Sequence, residues 1–454
     1  MHRSLIVSIV LCLLVAACGD DDFVGSTTEA SSSTAAAPSS EASTSSSAAE
    51  STTAAGTSST EAPTSTEAPS TTTTTTATTT TSTTTATLPA APVTVHPGLP
   101  SAASRSEIPI GSVGPGWSAA LYSANRMQPS LQDGPTVLYL VSPAGDRYEV
   151  AAWPAGGPEA ISVWGLSNSG AQIVVSVFDL ADVSTDIVAV DVATGARARV
   201  LDLPEGTQAE AGTTLPTGRD VVVARTTPTT EALDVFRTDG SLWAAIDTSP
   251  ADPPRYSWLY GLDGMFLVVG SGSGLEVYGN DGTYLRDLDT PFDHCEPARW
   301  WDAGTILARC VDDAVWALNG YYHELWLVPL DGSAPTPLTA PTPPGWDVVE
   351  FGHYDAWPVG GRVLLQWWGD CAARGIQELQ SDGTGVFVGP GPDGAEWIVA
   401  RAGGDLVVHS IVGCGDPYGP LSLVAPDGSL IRTLVPRLAD YEGVIDAAGM
   451  IPVP

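Results

Sequence analysis

Leu325-Trp326-Leu327-Val328-Pro329-Leu330-Asp331-Gly332 is an apolar strand running into an Asp-Gly turn. Asp-Gly between apolar runs is the strongest short-range sign of a β-hairpin, because the turn needs a positive φ that glycine accepts freely. The signature recurs along the chain. Upstream are Val137–Val141 with Gly145, Ile187–Val192 with Gly195, Leu233–Arg237 with Asp239-Gly240, and Leu275–Tyr278 with Asp281-Gly282. Downstream are Ile376–Leu379 with Asp382-Gly383 and Leu421–Ala425 with Asp427-Gly428. The turn glycines stand 50, 45, 42, 50, 51 and 45 residues apart. A period in the forties is one four-stranded unit per repeat, the size of a propeller blade.

A second series of hairpins interleaves with the first. Ile161–Leu166/Gly170/Ile173–Val177, Ser257–Tyr260/Gly264/Met265–Val269 and Trp397–Ala400/Gly404/Leu406–Val412 are members. The last inner hairpin, Val444–Ile445/Gly449/Met450–Val453, has no outer hairpin after it, and the first outer hairpin has only Trp117–Tyr122 before it. That imbalance predicts a ring in which the carboxyl end supplies an inner strand to the first blade, which removes the open sheet edges. The expected fold is all-β, a single seven-bladed propeller over residues 105–454.

The segment Trp164-Gly165-Leu166-Ser167-Asn168-Ser169-Gly170-Ala171-Gln172-Ile173 resembles the repeats of TolB-type propellers, with Asn168-Ser169 where that family often has Pro-Asp. Ala189-Val190-Asp191-Val192-Ala193-Thr194-Gly195 looks like the docking motif of quinoprotein-type propellers, but Arg199 stands where their tryptophan would be. Asp191 is read as capping its own turn. Neither resemblance fixes an activity, because propellers host binding proteins and enzymes alike.

The preceding residues cannot build a core. Leu5 to Val15 is a short apolar run behind a basic start, and Val15-Ala16-Ala17-Cys18 resembles the lipobox of bacterial lipoproteins. The resemblance implies a signal peptide over residues 1–17 and acylation of Cys18, giving a lipid anchor in the cell membrane on the extracytoplasmic side. Two acyl chains suffice for stable attachment. Residues 18–104 then form a disordered Ser/Thr-rich tether, without an aromatic residue from Ser26 to about Thr94. As flexible coil, such a tether averages on the order of 50 Å end to end.

Composition removes whole classes of chemistry. The chain has 454 residues, a net charge of −34, and no lysine among its 18 basic residues. That excludes Schiff-base catalysis and a P-loop lysine, and so acidic a surface repels nucleic acid. Cys295, Cys310, Cys371 and Cys414 remain after the anchor, an even number that favours disulfides in an exported chain. Four cysteines allow three pairings. The first two lie symmetrically about an inner hairpin and the last two follow inner hairpins of consecutive blades, so 295–310 and 371–414 are expected. A zinc site would want cysteines a few residues apart, and Asp287-x-Asp289-x3-Asp293, with oxygen ligands at a spacing open to calcium, lacks the Gly and terminal Glu of an EF-hand loop and reads first as a solvated acidic loop; no metal and no cofactor is expected.

The cysteines fall in connections that emerge on one end of a propeller, and the longest loops share that end. The candidate binding face comprises Trp316, Tyr321, Tyr322, His323, Trp368, Asp370, Arg374, Asp416 and Tyr418; the Trp and Tyr of blades five and six read first as blade-to-blade packing and second as a stacking platform for sugars. The expected role is a non-enzymatic binding module for a protein or cell-wall glycan. The alternative is a glycan-acting hydrolase with carboxylates gathered at the channel.

Overall fold

In the computed structural model, seven sheets follow one another around a ring, a seven-bladed β-propeller, and their strands are antiparallel except where Ala102–Ala103 joins blade 1 in parallel. The residues described are 93–94, 99–124, 134–155, 160–179, 184–203, 207–226, 231–246, 257–312, 323–341, 350–369, 374–388, 395–411, 418–440 and 442–451. From the innermost strand outward, blade 2 is Ala160–Leu166, Gln172–Asp179, Ser184–Asp191 and Arg197–Leu203. Blade 3 is Gln208–Thr213, Asp220–Thr226, Glu231–Arg237 and Leu242–Ile246; blade 4 is Trp258–Tyr260, Phe266–Ser271, Gly274–Gly279 and Tyr284–Leu288. Blade 5 is His294–Asp302, Thr305–Val311, Glu324–Pro329 and Thr336–Pro337. Blade 6 is Glu350–Val359, Arg362–Gly369, Arg374–Leu379 and Gly385–Phe387; blade 7 is Ala395–Ala402, Asp405–Ile411, Leu421–Val424 and Leu430–Val435.

Blade 1 closes the ring with strands from both ends of the propeller. Its innermost strand is Gly443–Gly449, paired antiparallel with Ser118–Ser123 from Ser118↔Gly449 to Ser123↔Gly443. Thr136–Val141 and Arg147–Trp153 follow, and the short strands Ala102–Ala103 and Val93–Thr94 add to the outer edge. The expected terminal hairpin is a single strand. Gly449 is the last residue of that strand and no turn, and Met450 bridges in parallel to Leu166 of blade 2. The reason is topological: Ser118–Ser123 already occupies the second position, so the ring needs only one strand from the carboxyl end. That strand and the residues just after it are tied to both neighbouring blades. Asp446 Oδ2 accepts the Val163 N–H of blade 2 at 2.7 Å, His409 Nε2 of blade 7 lies 2.9 Å from the Val444 carbonyl, and Asn168 Nδ2 donates to the Ile451 carbonyl at 3.0 Å.

The middle strands read as continuous apolar runs because both of their faces are buried between blades. Val137, Tyr139 and Val141 pack toward blade 7, and Leu138 and Leu140 toward blade 2. Val221 and Val223 face blade 2 while Val222 faces blade 4. A buried side chain of this size contributes about 1.5–3 kcal/mol. The core is therefore a circle of inter-blade layers.

The outer hairpin turns explain their own sequence. Asp239, Asp281, Asp331, Asp382 and Asp427 each accept the backbone N–H two residues on, at 2.9–3.0 Å, and the hydroxyls of Ser241, Ser333, Thr384 and Ser429 donate to the same oxygens. Those hydrogen bonds hold the five carboxyls below the usual range. Glycine at the turn is required twice over at Gly282. Its φ is +84°, and a Cβ there would stand 2.7 Å from the Ala245 carbonyl of the preceding blade. Asp191 caps its turn as expected, accepting from the Thr194 N–H at 2.7 Å.

Candidate functional site

Each innermost strand enters the ring at the end reached by the blade-to-blade connection. Glu210, Glu296, Asp355, Glu396 and Asp446 sit in the first two-thirds of their strands on blades 3, 5, 6, 7 and 1. Carboxylates this close to the axis are costly unless paired. Two of them are paired to arginine.

Glu296 and Arg309 stand directly opposite each other in blade 5, and Arg309 Nη2 lies 3.3 Å from Glu296 Oε2. Arg299, from the same innermost strand, crosses to blade 6. Its Nε donates to Asp355 Oδ1 at 2.6 Å and its Nη2 to Asp355 Oδ2, the bidentate fork that suits guanidinium and carboxylate. Both guanidinium groups also lie over rings, Arg299 at 3.4 Å from the Trp357 centroid and Arg309 at 3.9 Å from that of Tyr354. All of Glu296, Arg299 and Arg309 are buried.

Tyr354 joins three blades. Its ring meets Trp368 edge-on at 5.8 Å, Trp397 of blade 7 at 5.3 Å and His323 of blade 5 edge-on at 6.3 Å. Beside it, Gln366 spans blades 6 and 7 as a strand backbone would. Its Nε2 donates to the Glu396 carbonyl and its Oε1 accepts the Ile398 N–H, both at 2.7 Å. The Glu396 side chain is different. It is 2% exposed, its Oε1 has no hydrogen-bond partner, and burial pushes its pKa from about 4.5 up to about 7. His353, bonded to Gln377 Oε1 at 3.0 Å, is pushed down by burial and so favours the neutral form.

Of the nine residues expected on the binding face, His323, Trp368 and Tyr418 are described as buried. His323 and Trp368 serve as packing around Tyr354 rather than as an exposed platform. Arg374 opens the third strand of blade 6. Trp316, Tyr321, Tyr322, Asp370 and Asp416 lie outside the described residues, as do Cys18, Cys371 and Cys414. Cys295 and Cys310 form a disulfide across directly opposed strand positions, with Cα atoms 4.1 Å apart. They sit inside the strands, not in the connections expected from sequence, because the inner strands of blade 5 extend to His294 and Val311. No group of three or more His, Cys, Asp or Glu among the described residues is arranged to hold a metal ion.

Arg299, Arg309, Glu296, Tyr354, Asp355 and Glu396 were not singled out from the sequence. Tyr354 apart, their signal is an interruption: charged residues set inside otherwise apolar innermost and second strands. What the arrangement does chemically is hold three blades in register at one end of the axis.

No protein-family model and no curated protein sequence matches the chain. Among solved structures it is similar to a puromycin-hydrolyzing peptidase of Mycobacterium tuberculosis, at 15% identity and a TM-score of 0.44, over 74% of this chain and 56% of that one. The chain thus spans little more than half of the peptidase's length. It is also similar to the β-propeller domain of the Trilobed protease from Pyrococcus furiosus, at 13% identity and a TM-score of 0.44, covering 72% of this chain and 96% of that one. The putative TolB from Agrobacterium tumefaciens gives 12% identity and a TM-score of 0.35, over 75% and 95% of the two chains. Likeness at these identities and TM-scores carries nothing about activity.

Proposed function

We propose that the chain is a lipid-anchored extracytoplasmic propeller that binds a protein or cell-wall glycan partner without transforming it. The observation that carries this reading is the state of the carboxylates near the axis. Glu296 and Asp355 are committed to Arg309 and Arg299, so guanidinium groups occupy the oxygens that a pair of hydrolytic carboxylates would need free. The lipobox-like Val15-Ala16-Ala17-Cys18 and the Ser/Thr-rich stretch behind it support attachment and reach. Two measurements test the two halves. Cys18→Ala should move the protein from the membrane fraction to the soluble one; a variant that still fractionates with lipid removes the anchor. Incubation with purified cell wall should give sedimentation without release of new reducing ends. Turnover that disappears in Glu396→Gln would instead make the protein a glycan hydrolase.

A further inference from the structure

Exposed apolar pairs open the outer strands of blades 3 and 4, as Val386-Phe387 and Leu430-Ile431 do in blades 6 and 7, and the strand of blade 4 carries charge only further on, at Arg286 and Asp287. Natural edges carry charge or are covered. Blade 2 obeys, beginning its outer strand with the exposed Arg197-Ala198-Arg199, and blade 1 is covered by the chain's own Ala102–Ala103. At the same end of blades 3 and 4 stand Leu242-Trp243 and Tyr284-Leu285, with Met265 just past the adjoining inner turn. These five side chains are each 48–62% exposed.

They form one surface. Trp243 Nε1 donates to the Asn280 carbonyl at 3.1 Å, and the Asn280 N–H donates to the Met265 carbonyl at 3.1 Å. The Asp281-Gly282 turn of blade 4 lies against Ala244 and Ala245 of blade 3. Tyr284 is braced edge-on by Tyr278 at 5.7 Å, and Arg237 covers one face of the Trp243 indole at 4.5 Å. Three exposed carboxylates rim the apolar group: Asp239 before Leu242, Asp263 before Met265 and Asp281 before Tyr284. Each is fixed by its own turn hydrogen bond.

We infer that the turn-side rim of blades 3 and 4 docks a partner-protein segment in which apolar side chains alternate with Lys or Arg. An aromatic anchor among aliphatic neighbours is the composition of an interface centre. The fixed carboxylates, on a chain of net charge −34, select a cationic partner and disfavour a second copy of this chain. The surface lies at the opposite end from the Tyr354 cluster, and the inference depends on neither the lipid anchor nor any glycan bound there.

The test uses the full chain carrying Cys18→Ser, titrated with three synthetic peptides of equal length that alternate Leu with Lys, Ser with Lys, and Leu with Glu. The Leu/Lys peptide should bind, more weakly as salt screens the rim, and Trp243→Ser with Met265→Ser should weaken it about tenfold or more. Leu430→Ser, at the equivalent strand position of blade 7, should leave binding unchanged. If the double variant fails to fold, Leu285→Ser takes its place. Equal binding of the Ser/Lys peptide, equal binding of the Leu/Glu peptide, or unchanged affinity in the variants would each overturn the inference. So would a concentration-dependent dimer that the double variant abolishes, since a second copy would then be the occupant.

Discussion

Replacing Glu396 by Gln should stabilise the propeller at alkaline pH and leave it unchanged in acid. The Glu396 carboxyl is buried, its Oε1 is unpartnered, and its pKa is pushed from about 4.5 up to about 7 by burial alone. Below about pH 4.5 both folded and unfolded chains hold the proton, so this group contributes no pH dependence. Between about pH 4.5 and 7 the unfolded chain has released the proton and the folded chain still binds it. Stability then falls as pH rises, by about 1.4 kcal/mol per pH unit. Above about pH 7 both states are ionised and the loss is complete, at about 3 kcal/mol. That is a large share of a typical stability of about 5–15 kcal/mol. Glutamine has the shape of the neutral acid and no titration. Urea unfolding of both proteins from about pH 4 to pH 8 gives the difference directly and cancels every other titrating group. A wild-type-minus-variant difference that stays flat across this range would refute the burial argument.

Three further outcomes follow from the same structure. Asp355→Ala leaves the buried Arg299 guanidinium without its carboxylate and should cost about 3–5 kcal/mol, whereas Arg299→Met with Asp355→Leu should cost much less; denaturant midpoints that rank the other way contradict the pairing. The Cys295–Cys310 bridge spans 15 residues, so Cys295→Ser with Cys310→Ser should lose about 3 kcal/mol, and non-reducing peptide mapping should recover a 295–310 link together with the expected 371–414 one. Deleting residues 443–454 removes the buried Val444, Ala447, Ala448 and Met450 and exposes the inner edge of blade 1. The truncated protein should aggregate or unfold well below the intact midpoint; melting within a few degrees of it would rule out this closure.

The fold was legible because its signals are local. An Asp-Gly turn announces itself within four residues, and its repetition counts the blades without any long-range information. A finer signal was there to be read: Ser or Thr follows the glycine at 241, 283, 333, 384 and 429, which lets the hydroxyl join the backbone N–H on one aspartate oxygen. The site is different in kind. Arg299 and Asp355 are 56 residues apart in the chain, and Tyr354 meets Trp397 of the next blade. No window of sequence contains both members of such a pair. Aromatic density in the loops pointed to blades five and six, where Trp368 and His323 lie among the packed rings rather than on a platform.

Yet a partner one blade away is not arbitrary once the period is known. Neighbouring innermost strands stand side by side, so a charge early in one can meet only what the next strand carries at a similar height, or what its own second strand places opposite. Glu296 therefore has Arg309 in its own blade as its natural partner, and Arg299 has Asp355 across the junction. Glu396 faces Ser410 in its own blade, which offers no cation, and the Gln366 amide of blade 6 is spent on the Glu396 backbone carbonyl. A carboxyl at that position has no counter-charge to stabilise its ionised form, which makes the pH dependence of Glu396 a consequence of blade order rather than of local sequence.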